Sequence, residues 1–434
     1  MNSEKTAVRI RFANSQETVH IPIAELLLKT LDFLGHFGEP RLVGREFHRI
    51  IGDGDAGERF SRLISATGFP GDPGGFFMEL AERIGQADGT EEAPLTVNEV
   101  EIPVILAAWL LELFISGERS FSVKDVAQFE IISNSVVPEA ERGTLQQVIN
   151  TYPVRISTHA LRQMHVSRAA RYQYAPFIEE CEPAGQTDTW VGRFNEGLIE
   201  RMYRNRVIFL LSMRGPVYCR FCFRKHKDLR TRPAPSVNDV LRAVDYVRKN
   251  PAVREILITG GDPFLAEENI KAAIDGLKDI PHVRTLRLAT RSVSYHPHLF
   301  QGRDGFWIRY LRMKNLELGM HGKRIELATH FIHPDEVSVQ SLQIISELVS
   351  NGIQVYVQTP FLNNCNDRGP ELVRLFSLLR GSGAEMHYIF IPCSPIKGNS
   401  VYSTPISRAF EAACHLRAHL SDRAIPGICT ATAI

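Results

Sequence analysis

From Arg206 onward the apolar positions fall into short β-branched runs, separated by stretches in which apolar residues recur every three or four places. The runs at 206–212, 255–259, 285–290, 325–330, 353–358 and 386–391 predict strands. The periodic stretches at 237–249, 267–277, 339–350, 371–380 and 406–420 predict helices. Ser236 followed by Asp239 supplies a helix start, and Gly352 after Asn351 a helix stop. Strands apolar on both faces and separated by helices imply a parallel sheet covered by helices. Six such units are too few to close an eight-stranded barrel. The expectation for 206–434 is therefore an α/β fold, a partial (β/α)6 barrel whose chemistry sits at the C-terminal strand ends.

Upstream the pattern differs. Residues 1–150 read as a mostly helical domain, with helical spacing at 23–34, 59–66, 76–84 and 104–115. Turn-rich breaks such as Gly52-Asp53-Gly54-Asp55 separate these segments, and 151–205 reads as a connecting segment. No fixed-period repeat is visible.

Composition narrows the class. Over 434 residues, 44% are apolar and 23% charged, as in ordinary globular proteins. Fifty basic and 49 acidic residues leave a formal charge of +1, which gives no electrostatic case for a nucleic-acid or membrane-surface partner. Apolar stretches such as 102–113 are too short to span a bilayer, and the first twelve residues lack the apolar region of a secretory signal. The expected location is the cytoplasm, where thiols stay reduced; seven scattered cysteines do not form a disulfide framework.

The chemistry-bearing residues follow the predicted strands. Cys219 and Cys222 come just after the first, in C-x-x-C spacing. Roughly 0.11 such pairs are expected by chance at this cysteine content, so the spacing alone leaves a redox pair, half a zinc site or an iron–sulfur pair open. Arg224, Lys225, His226 and Lys227 make the next segment cationic, suited to anionic groups. The second strand ends in Thr259-Gly260-Gly261-Asp262-Pro263, the third in Thr290-Arg291, the fourth in Thr329-His330 with His333 close behind, and the fifth in Gln358 ahead of Asn366-Asp367. Polar groups at one end of successive strands mark an active-site mouth.

These segments resemble the lysine 2,3-aminomutase family of radical S-adenosylmethionine (SAM) enzymes, from about Tyr152 to the C-terminus. The matching segments are Tyr218-Cys219-Arg220-Phe221-Cys222-Phe223-Arg224, Ile256 to Asp262, Ala328 to Pro334, Val357-Gln358 and the Thr404-Pro405-Ile406-Ser407-Arg408 region. The resemblance implies an isomerase that generates a 5′-deoxyadenosyl radical for 1,2-amino migration on an amino acid. The cofactors implied are a 4Fe-4S cluster, SAM and pyridoxal phosphate, with an external electron donor and a homo-oligomeric assembly. By position, Cys219 and Cys222 would be cluster ligands, Gly260, Gly261 and Asp262 would face the SAM amino group, and Arg291 and His330 would lie near its other polar groups. Arg224 would bind the substrate carboxylate, and Gln358 would lie near the pyridoxal phosphate.

Three positions depart from the family pattern. The first cluster cysteine of the C-x-x-x-C-x-x-C motif falls at Gly215, which has no ligand atom; Cys393 and Cys181 are the substitutes the sequence offers. The family's pyridoxal phosphate lysine lies in a glycine-rich loop beyond the segment matching 425–430, and no such loop follows here; Lys397 is a weak replacement. The two aspartates that hold a lysine substrate's ammonium fall at Ser394 and Ala431, so free lysine is not the expected substrate. A fold that binds SAM or a partner without catalysis is the alternative. An insertion at 301–324, with Arg303, Arg309, Arg312 and Lys314, predicts a basic helix, either a solvated face or a contact for an acidic substrate.

Overall fold

The computed structural model describes residues 7–11, 18–37, 43–86, 95–111, 120–133, 136–181, 194–201, 203–222, 225, 233–391 and 400–430. They divide into two units, Met1–Ile178 with His333–Val339, and Glu179–Ile332 with Gln340–Ile434.

In the first unit, helices Ile23–Phe37, Ala56–Ala66 and Pro73–Gln86 cover the segments whose spacing predicts them, and Val104–Leu111 covers the fourth as far as 111, the expected 112–115 lying outside the described residues. Asp55 caps the second through its carboxylate, which accepts from Glu58 N at 2.9 Å. Three antiparallel pairs go beyond the helical expectation: β1 (Ala7–Arg11) with β2 (Thr18–Pro22), β3 (Thr96–Val97) with β4 (Val100–Glu101), and β5 (Ser120–Val123) with β6 (Val154–Ser157). β1 and β2 do alternate, with Val8 and Ile10 set about Arg9 and Val19 and Ile21 about His20, whereas β3 to β6 have four residues or fewer and give little pattern to read.

The second unit is built on one large sheet. Among the described residues its strands are β7 (Phe194–Glu196), β8 (Ile199–Arg201), β9 (Arg206–Ser212), β10 (Glu255–Gly260), β11 (Thr285–Ala289), β12 (Arg324–His330), β13 (Gln354–Pro360), β14 (Glu385–Ile391) and β15 (Gly427–Thr430). They lie side by side in sequence order. β9 to β15 are parallel throughout, while β7 and β8 add an antiparallel edge beside β9. The result is a mixed α/β fold with a large parallel sheet. Helices Val237–Arg248, Glu267–Lys278, His298–Met320, Val339–Ser350, Gly369–Gly381 and Ile406–His419 alternate with the parallel strands.

Local signals fix the helix ends. Ser236 and Asp239 form a reciprocal capping box, and those hydrogen bonds hold the Asp239 carboxyl below the usual range. Gly352, at φ +74°, ends the helix Val339–Ser350 and lets Ile353 N return to Leu348 O at 3.0 Å. The basic insertion becomes the helix His298–Met320, broken near its start where Arg303, Asp304 and Gly305 adopt positive φ. Its cations turn to the neighbouring helix: Arg303 meets Glu267 at 2.6 Å and Lys314 meets Asp275 at 2.6 Å.

β9 and β12 are buried on both faces, as expected, whereas β10, β11 and β13 bury one face more fully than the other. Ile256, Ile258, Leu286, Leu288, Val355 and Val357 are buried, whereas alternate positions are polar and half-buried near the strand starts. There Arg287 reaches Glu255 at 3.2 Å and Glu326 at 2.9 Å across neighbouring strands.

Candidate active site at the C-terminal ends of the parallel strands

The loops leaving β9 and β10 interlock through their backbones. Gly261 N donates to Ser212 O at 2.7 Å and Asp262 N to Arg214 O at 2.8 Å. Gly260 sits at φ +142°, and a Cβ there would lie 2.1 Å from Ser212 O; one on Gly261 would lie 2.3 Å from Arg214 C and O. These glycines are required because another strand-end loop lies directly against them. Gly215 is different: its backbone is not in the left-handed region, and its nearest neighbours to a Cβ would be Val217 O at 3.3 Å and Gly261 C at 3.5 Å. Gly261→Ala is therefore expected to cost about 1–3 kcal/mol in urea unfolding, and Gly215→Ala well under half of that. Equal losses at the two positions would contradict this packing.

The cysteine pair lies in the same loop. Cys222 N donates to Cys219 O at 3.3 Å, closing a tight turn, and both side chains are half-buried and outside any disulfide. Arg291, just beyond β11, places Nη1 2.7 Å from Cys219 Sγ. Its guanidinium also lies over the Phe221 and Tyr295 rings, 5.2 and 5.5 Å from their centroids.

Beneath this turn is a buried ion cluster absent from the sequence reading. Glu180 accepts from Arg220 Nε at 2.9 Å and Nη2 at 2.6 Å, and from Lys225 Nζ at 3.0 Å. Lys225 Nζ also donates to Arg220 O at 2.7 Å. All three side chains are essentially inaccessible. Burial pushes the Lys225 ammonium down to about 8, against the opposing pull of Glu180. The cationic character of this segment thus serves, at Lys225, an anion from the chain itself. Glu180 lies 40 residues before Arg220 in a short 3-10 turn, Ile178–Cys181, and no local pattern announces it.

Asp262 is fully buried. Its Oδ2 accepts from Thr290 Oγ1 at 2.6 Å and Ser292 Oγ at 2.7 Å, and its Oδ1 from Phe264 N at 3.1 Å. Burial raises its proton affinity, opposed by those donors. On the next two strands His330 and Gln358 stand in register, with Nε2 3.0 Å from Oε1. Asn366 braces the loop after β13, accepting from Leu362 N at 2.7 Å, and Asp367 pairs with Arg408. His333 lies 3.1 Å from Asp335 within the first unit.

The structure therefore brings Gly215, Cys219, Gly260, Gly261, Asp262 and Arg291 into one connected set, with His330 and Gln358 on the adjoining strands. Arg224, Cys393, Ser394, Lys397 and Ala431 lie outside the described residues. Among the described residues no three His, Cys, Asp or Glu side chains are grouped to hold a metal ion, and no helix is long and apolar enough to cross a membrane.

No protein-family model matches the chain. Curated relatives do. A putative L-lysine 2,3-aminomutase of Aquifex aeolicus is 29% identical over 298 residues, covering 66% of this chain and 77% of the relative. The L-lysine 2,3-aminomutase of Methanococcus maripaludis is 25% identical over 71% of each chain. The glutamate 2,3-aminomutase of Clostridioides difficile is 28% identical over 57% of this chain and 55% of its own length. With these relatives and the cysteine, Gly-Gly-Asp and His-Gln elements arrayed on successive strand ends, the chain is similar to the lysine 2,3-aminomutase family.

Proposed function

We propose that the chain is an isomerase-like radical SAM enzyme that acts on an amino acid at the C-terminal end of an open (β/α)6 barrel. The supporting observation is the connected set of strand-end loops, in which Cys219, Arg291 and the Gly260-Gly261-Asp262 turn meet. In this reading 1–150 is a separate mostly helical domain, 151–205 connects it to the barrel at 206–434, and the protein works in the cytoplasm as a homo-oligomer with an external electron donor.

The residues fit SAM. Arg291 offers a guanidinium to a carboxylate, and the His330–Gln358 pair supplies polar contacts on the adjoining strands. Bound SAM would supply an adenosyl group at this mouth. The chain's own contribution is to neutralise the ligand carboxylate, orient it through the ring-stacked Arg291 and hold the cysteine turn against it. Arg224 is the proposed anchor for the substrate carboxylate.

Within the C-x-x-x-C-x-x-C motif itself the donor set does not fit a three-thiolate 4Fe-4S site, because Gly215 contributes no ligand and Cys219 and Cys222 are the two sulfurs there. In the family the pyridoxal phosphate lysine lies beyond the segment matching 425–430, so only Gln358 bears on that group here. No step is derived through either group. Gly215 specifically favours a second reading, a scaffold that binds SAM or a partner without cleaving it.

The test is anaerobic incubation of the reconstituted full chain with SAM, a reductant and separate amino acids, lysine and glutamate included, followed by calorimetry and chromatography. Release of 5′-deoxyadenosine with a migrated product supports the enzyme reading. SAM binding without release supports the scaffold, and no SAM binding contradicts both.

A further inference from the structure

By family position Asp262 would meet the amino group of SAM, yet its carboxylate has no solvent-accessible surface. Both oxygens are engaged within the chain, by Thr290 Oγ1, Ser292 Oγ and Phe264 N. A buried carboxylate holding two hydroxyls and an amide has little capacity left for an ammonium ligand, and exposing it would break those bonds. The bonds run to particular places. Thr290 and Ser292 flank Arg291, and Ser292 N returns to Thr290 Oγ1 at 3.0 Å, so the turn carrying Arg291 is closed around the Asp262 carboxylate. On its other side, Asp262 N is tied to Arg214 O, at the start of the cysteine loop. Phe264, two residues on, is wedged against Phe300 and Trp307 at 4.7 and 4.9 Å, which anchors the Asp262 turn to the helix His298–Met320.

We propose that Asp262 is a positioning residue: it locks the ends of β9, β10 and β11 together and thereby aims the Arg291 guanidinium at Cys219. The assignment deepens the reading of this mouth as the SAM and cysteine site and concerns how its parts are held. Asp262 touches neither SAM nor substrate and acts through Arg291.

A readout specific to that action is the alkylation of Cys219 by iodoacetamide, followed by peptide mass spectrometry with Cys222 as the internal reference. A guanidinium 2.7 Å from sulfur favours the nucleophilic thiolate, so loosening Arg291 slows Cys219. Asp262→Asn is expected to slow Cys219 about threefold or more at neutral pH and Cys222 by less than about twofold. Arg291→Ala should reproduce the effect, and the double variant should add nothing to it. Should Asp262→Asn fail to fold, the isosteric pair decides: Thr290→Val slows Cys219 and Thr290→Ser retains the native rate. Additive effects of Asp262→Asn and Arg291→Ala, or native Cys219 reactivity in Asp262→Asn and Thr290→Val, would overturn the assignment. So would loss of SAM binding in Asp262→Asn with Cys219 reactivity unchanged, since that is the behaviour of a direct ligand. The alkylation requires no SAM, so a native chain that does not bind SAM contradicts the functional reading while the role of Asp262 is still decided.

Discussion

Replacing Glu180 with Gln is expected to destabilise the protein by about 3–5 kcal/mol, because it leaves Arg220 and Lys225 buried without their carboxylate. Removing both sides of a buried pair costs far less than removing one, so Glu180→Gln combined with Lys225→Met should recover part of that loss. The pH dependence follows from Lys225. Its folded value, about 8, lies below the ordinary 10.5. Between those values the unfolded chain binds the proton and the folded chain releases it, so this group's contribution to stability rises as pH climbs from about 8 to 10.5. The rise is at most about 3 kcal/mol. Urea unfolding of the native chain and of Lys225→Met at pH 7.5 and 10 should reveal it as a difference between the two. An identical pH response in both proteins, or a Glu180→Gln loss under 1 kcal/mol by the same order-of-magnitude reckoning, would show that the cluster does not hold the cysteine turn.

The second large effect is expected at Gly215. Backbone conformation there accepts an L-residue, and the tightest contact a Cβ would make is 3.3 Å to Val217 O, within reach of a small local shift. The position borders Gly261 and Asp262 and lies four residues before Cys219, where the family places its first thiolate. Gly215→Cys should therefore fold with a stability loss well below that of Gly261→Ala and complete a three-thiolate set, raising iron after anaerobic reconstitution to about four per chain, the content of a three-cysteine cluster. The contrast with Gly260 and Gly261 makes the expectation specific. Those glycines are required by loop packing, whereas a Cβ at Gly215 would meet nothing closer than 3.3 Å.

Most of the parallel sheet was legible because its elements carry their own signals. The helix Val339–Ser350 has unbroken apolar spacing and a glycine stop, and β9 (Arg206–Ser212) is a compact β-branched and aromatic run. β15 (Gly427–Thr430) was missed, since four residues beginning with glycine show no periodicity and are held by pairing with β14. The Arg287–Glu326 layer was missed because a cross-strand ion pair looks, in one dimension, like two unrelated surface charges. The same reason hid Glu180, whose partners are 40 and 45 residues away. Within the site, Cys219, Cys222, Gly260, Gly261 and Arg291 were legible through motif order. The physical causes were not: the two glycines answer to the backbone of Ser212 and Arg214, and the buried Asp262 answers to Thr290 and Ser292.

The central claim is that this mouth is a SAM site of the aminomutase family in which one cluster ligand has been replaced by Gly215. The most direct measurement is iron and sulfide analysis of the native chain and of Gly215→Cys after parallel anaerobic reconstitution, with absorption spectra taken before and after addition of SAM. The account predicts fewer irons in the native chain than in Gly215→Cys, about four irons in that variant, and a spectrum of the variant that shifts when SAM is added. Equally low iron in both proteins, or a filled cluster in Gly215→Cys that is indifferent to SAM, would contradict it.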